Sequence, residues 1–87
     1  MKIYKYTLEI TDTQSVEIPS RHILSAVEQN NEIVVYASID DDEQKPAKYT
    51  FKIVGTGNPS NIDLDQYTFL NTVSLFGGSL IFHVFYI

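Results

Sequence analysis

The sequence contains neither cysteine nor tryptophan. The first absence excludes disulfides, thiol nucleophiles and Cys-based zinc or iron–sulfur centres, and it suits a reducing compartment. The second leaves the large core side chains to six Tyr and five Phe, which bury much area per residue. Basic residues are scarce, six Lys and Arg against eleven Asp and Glu, for a net charge of -5 and a pI near 4.7. A nucleic-acid binder needs a basic stripe or patch, so direct contact with DNA or RNA is disfavoured. An acidic surface serves solubility or meets a basic partner. No apolar run reaches the roughly 20 residues that a membrane helix needs. Met1-Lys2-Ile3-Tyr4-Lys5-Tyr6 alternates from the outset instead of opening with a signal-peptide block. The expected setting is the cytoplasm, away from membranes.

What is present is β-pattern. With 87 residues, 44% of them hydrophobic, the chain supports one domain with one modest core. Tyr4, Tyr6, Leu8 and Ile10 alternate with Lys5, Thr7 and Glu9, and Val16 and Ile18 alternate with Ser15 and Glu17. The two segments read as strands joined by the Thr11-Asp12-Thr13 turn, ending before Pro19, which cannot donate to a ladder. Residues 22–29 fit a strand or a short helix behind a Ser20 cap. The strand is preferred because Asn30-Asn31 suits a two-residue turn with positive φ into the β-branched run Glu32 to Ile39. Asp40 to Ala47 is polar and contains Pro46, a solvated loop by composition. Lys48 to Val54 alternates well and reads as the hairpin partner of the preceding strand. Gly55 to Asn61 is irregular, and residues 60–67 form at most one helical turn.

The last segment is apolar on both faces. After a strand at Tyr67 to Leu75 and the Gly77-Gly78 turn, Leu80, Phe82, Val84 and Tyr86 share one side of an extended strand, with Ile81, His83, Phe85 and Ile87 on the other. Such a strand is covered on both sides, either centrally in the domain or by a second copy. The sum is an all-β domain of about seven antiparallel strands, a small sandwich or partly closed barrel.

Candidate sites are few. Gly55-Thr56-Gly57-Asn58 could offer backbone N–H groups to an anion, although it lacks the Lys-Ser/Thr ending of a P-loop; an ordinary turn requiring positive φ is the competing reading. Asp40, Asp41, Asp42 and Glu43 are consecutive, without the alternate spacing of a calcium loop, and read as a solvated charge run that could contact a partner. Ile81, His83, Phe85 and Ile87 form the expected partner or subunit interface, with His83 its hydrogen-bonding member. No nucleophile elbow is present. The residues therefore point to a non-enzymatic chain with no metal and no cofactor, forming a homo-oligomer through aromatic surface.

At Gly55-Thr56-Gly57-Asn58-Pro59 and again at Gly78-Ser79-Leu80-Ile81-Phe82-His83-Val84-Phe85, the sequence resembles a family of short uncharacterised proteins found in bacteriophages and prophage-bearing bacteria. The resemblance also takes in Lys5-Tyr6-Thr7-Leu8, Gln14 to Pro19, Ile23-Leu24-Ser25 and Val73. Members often carry Trp near the position of Tyr4 and His where this chain has Asn58. The resemblance implies a phage-type accessory protein that acts by binding in the host cytoplasm. The first expectation is inhibition of a host defence protein; the second is sequestration of a nucleotide-derived signal by an oligomer; the third is a structural virion component.

Overall fold

The computed structural model describes residues 1–39 and 47–87. Among these residues seven strands run antiparallel in two sheets: β1 (Lys2–Leu8), β2 (Thr13–Ile18), β3 (His22–Gln29), β4 (Glu32–Ile39), β5 (Ala47–Gly55), β6 (Thr68–Leu75) and β7 (Leu80–Tyr86). A single 3-10 turn at Phe76–Gly78 joins the last two. One sheet has the order β1-β4-β3 and the other β2-β5-β7-β6. Residues 22–29 are a strand, and Asn30 and Asn31 both take positive φ, 54° and 60°, as the two-residue turn requires. Residues 60–67 hold only a hydrogen-bonded turn, closed by Gln66 and Tyr67 N–H on the Asp63 carbonyl.

The alternation read from the sequence places the core. Leu8, Ala26, Ile33, Val35 and Ala37 of the first sheet meet Ile18, Phe51, Ile53, Val73, Leu75 and Val84 of the second. β7 is interior, paired with β5 on one side and β6 on the other. Its Val84 is fully buried, and Phe82 and Tyr86 pack against the same core.

Two expected hairpins do not form. β1 pairs with β4, and β2 with β5. Between β1 and β2 the Gln14 carboxamide takes over the ladder, accepting from Glu9 N–H at 2.9 Å and donating to the Glu9 carbonyl at 2.6 Å. Ile53 N–H then donates to the Asp12 carbonyl at 3.2 Å and draws the start of β2 onto β5. Likewise β5 pairs with β2 and β7 instead of β4. Alternation demands only that the apolar side face a core, a condition that a strand in the opposite sheet meets equally well.

The sheets touch at one side and stay apart at the other. β3 and β6 are tied by Asn71, whose Nδ2 donates to the Ala26 carbonyl at 2.8 Å, and the turns that follow them by Asn31, whose Oδ1 accepts Phe76 N–H at 3.0 Å. Among the described residues β1 and β2 remain unpaired with each other, so no barrel closes. The link from β2 to β3 turns on Ser20, buried at 3% exposure. Its hydroxyl accepts His22 N–H at 2.9 Å and donates to the Ser38 carbonyl, while its own carbonyl accepts the Tyr49 hydroxyl.

Candidate functional site

Once Phe51, Ile53 and Val84 point inward, the pleat sends their neighbours to the outer face of the four-stranded sheet. Lys52 and Val54 of β5 lie opposite Phe85 and His83 of β7. Phe69, Thr72 and Ser74 of β6 lie opposite Phe85, His83 and Ile81. The four residues expected to share a face, Ile81, His83, Phe85 and Ile87, do so. Ile81 is 41% exposed, Ile87 50% and Phe69 52%. The Phe69 and Phe85 rings pack with centroids 5.4 Å apart. Beside them Lys52 Nζ lies 5.3 Å from the centre of the Tyr67 ring, within cation–π range.

His83 is anchored at the centre of this surface. Its Nε2 lies 2.7 Å from Thr56 Oγ1 and its Nδ1 lies 2.9 Å from Thr72 Oγ1. A neutral imidazole accepts at one nitrogen and donates at the other, and a hydroxyl serves either role. A hydroxyl this close to imidazole is the spacing of a nucleophile and its base. Here, however, the second nitrogen meets another hydroxyl, which brings no negative charge to stabilise an imidazolium. The two threonines orient the ring and satisfy it.

The Gly55–Asn58 segment is a tight turn. Asn58 N–H donates to the Gly55 carbonyl at 3.0 Å, and Gly57 sits at φ 86°, a conformation that side-chain-bearing residues adopt at a cost. Thr56 N–H donates to the Ile81 carbonyl at 3.0 Å. Two of the turn's N–H groups are thus engaged inside the protein, whereas an anion nest presents successive N–H groups outward. The Asn58 amide folds over Gly55, where a Cβ would lie 2.6 Å from its Nδ2. A cleft of about 160 Å³ lies on the Asp12, Lys52 and Asn61 side of the turn. Another of about 360 Å³ lies on the other side, lined by Thr56, Asn58, Ser79, Leu80, Ile81 and Phe82.

Pairing of β5 with β7 therefore brings together the two segments on which the sequence resemblance rests. Sequence reasoning missed Thr72 and Phe69 as parts of this face. The Gly77-Gly78 turn held the signal for Thr72, because counting back from Leu75 opposite Leu80 places Thr72 opposite His83. Phe69 carried no such signal, since an irregularity between Phe69 and Asn71 shifts the register. Asp40, Asp41, Asp42 and Glu43 lie outside the described residues. Among the described residues no three His, Asp or Glu side chains converge on one point, and no helix is long and apolar enough to cross a membrane.

Fold and site together define a small antiparallel β-domain that presents an aromatic and aliphatic sheet face around an anchored histidine. The chain belongs to the family described as Domain of unknown function (DUF7352), which matches residues 1–87. No curated protein and no solved structure matches it.

Proposed function

We propose that this chain is a non-enzymatic, phage-type accessory protein that works in the host cytoplasm by binding a host protein, with the outer face of the β2-β5-β7-β6 sheet as its contact surface. The observation that carries this reading is the exposed Phe69, Ile81 and Ile87 around Phe85 and His83. Core packing does not require these side chains, and aromatic residues are enriched where proteins meet. The hydrogen bonds to both nitrogens of His83 support it further, because a partner can cover the ring without stranding a polar atom. Affinity capture from host lysate tests the proposal with three baits: the natural chain, Phe85→Lys, and Thr7→Lys, which places the same charge on the other sheet. The natural chain and Thr7→Lys retain one common protein, and Phe85→Lys loses it. Retention by all three baits, or recovery of nothing beyond the bait, refutes the assignment of this face.

A second reading is favoured by the cleft of about 360 Å³ beside the Gly55–Asn58 turn, which falls within the size range of small-molecule sites. Its polar lining of Thr56, Asn58 and Ser79 suits a neutral, hydrogen-bonding ligand. Nucleosides that raise the melting temperature of the natural chain but not of Asn58→Ala would favour this reading over the first.

A further inference from the structure

A strand at the edge of a sheet exposes a row of unpaired N–H and C=O groups, and proteins ordinarily guard such rows. Among the described residues this fold has four edge strands. β3 and β6 shield one another through the Asn71 and Asn31 bonds. β2 is six residues long, carries Glu17 and is followed directly by Pro19. β1 has seven residues, all paired with β4 on one side, and among the described residues no strand lies on its other side. Along it Ile3 is 54% and Tyr4 49% exposed.

We infer that β1 pairs with β1 of a second copy of this chain, antiparallel about a two-fold axis at Tyr4, to give one continuous sheet in the order β3-β4-β1-β1-β4-β3. This is independent of the contact face proposed above, which belongs to the other sheet.

The register follows from side-chain chemistry. Directly opposed residues of an antiparallel pair project to the same side, so the inward faces of both copies stay together only if the axis passes through a residue. An axis at Lys5 sets Lys5 against Lys5, a like-charge pair that is destabilising. An axis at Tyr6 carries Ile3 beyond Leu8, where the partner strand ends, and leaves it uncovered. At Tyr4 the rings meet across the axis, Ile3 covers the stem of Lys5, and Lys2 lies against Tyr6. No two lysines are directly opposed, which holds for an axis at Ile3 as well, but that register pairs only residues 1–5 whereas the Tyr4 axis pairs residues 1–7. Lys2 and Lys5 of β1 are charges of the kind that guard an edge, but in this register neither faces the other copy's lysines, and the strand has no carboxylate, so two bodies of net charge -5 meet through an edge free of negative charge.

Sedimentation equilibrium of the full chain tests this. The natural chain forms a dimer, Tyr4→Lys weakens it at least ten-fold by placing two lysines on the axis, and Phe85→Lys leaves it intact. The chain has no cysteine of its own, so Tyr4→Cys gives a disulfide-linked dimer under mild oxidation while Lys5→Cys does not. This crosslink decides the matter if Tyr4→Lys fails to fold. A natural chain that stays monomeric near millimolar concentration overturns the inference. So does a dimer dispersed by Phe85→Lys but not by Tyr4→Lys, which would move the subunit contact to the other sheet.

Discussion

Val84 and Phe85 are neighbours on β7, yet a lysine at each should give opposite results. Val84 is fully buried in the shared core, with no acceptor of its own. An ammonium forced there loses its hydration without compensation, at a cost of several kcal/mol. A domain of this length has a total stability of roughly 4 to 13 kcal/mol by the usual range per residue, so Val84→Lys should be largely unfolded. Phe85 faces outward, where its defined contact is the Phe69 ring at 5.4 Å. Losing that pair costs about 0.5 to 1.5 kcal/mol beyond area, and a lysine stem can lie along the sheet with its charge in water. A net loss of about 1 to 2 kcal/mol lowers the melting temperature by on the order of 10 °C. Thermal unfolding followed by circular dichroism reads both variants, with tyrosine fluorescence as a second probe in this tryptophan-free chain. Val84→Lys lacks a cooperative transition, whereas Phe85→Lys keeps one at a lowered midpoint and loses partner capture. If Phe85→Lys also unfolds, its side chain belongs to a core and the contact-face reasoning fails.

Three other perturbations follow from particular bonds. Ser20→Ala leaves His22 N–H and the Ser38 carbonyl without their hydroxyl partner at a buried position and should cost about 2 kcal/mol in urea unfolding; no measurable change would mean that water replaces the hydroxyl. Burial, with a smaller contribution from neighbouring Tyr86, raises the pKa of Tyr49 above its ordinary value, so the native state holds this proton more tightly than the unfolded chain does. Its stabilisation is complete below the unfolded value of about 10 and is lost as pH rises past it toward the folded value; Tyr49→Phe should fall less steeply over that alkaline range. Thr72→Val removes the partner of His83 Nδ1. It should change the free protein little, where water reaches the ring, but weaken partner binding roughly five- to fifty-fold once that water is excluded.

Local chemistry made much of this legible. Asn30-Asn31 tolerates positive φ, which set one hairpin and decided that residues 22–29 are a strand. Period-2 alternation assigned the faces of β5, where Tyr49, Phe51 and Ile53 turn to the core and Lys48, Thr50 and Lys52 do not; β4 and β7, apolar on both sides, gave no such signal. Pairing between segments distant in sequence was less visible. Thr56 meets His83 because β5 and β7 are neighbours, and nothing within either strand names the other. Phe69 meets Phe85 because Leu70 is accommodated as an irregularity in β6, packing against the core. Where β1 and β2 part into different sheets, the Gln14 carboxamide bonds both Glu9 N–H and the Glu9 carbonyl, a side-chain role that hydrophobic patterning does not register.

The two apolar faces of β7 have separate causes. Its backbone is satisfied by β5 and β6, and its inner side by the core, so folding requires nothing apolar on the outer side. A lone exposed aliphatic residue is ordinary, but here Ile81, Ile87 and Phe69 stand around an aromatic pair and a histidine. Under the proposed contact reading, the histidine is what distinguishes this face from one on which apolar side chains are merely tolerated. An imidazole left to water would oppose desolvation of the whole patch, since covering it would strand two polar atoms. Thr56 and Thr72 supply both partners from within the sheet. The imidazole at the centre of the face is therefore already satisfied before any partner arrives, and Lys52, opposite Phe85 on the same face, is the polar group that a partner must still meet.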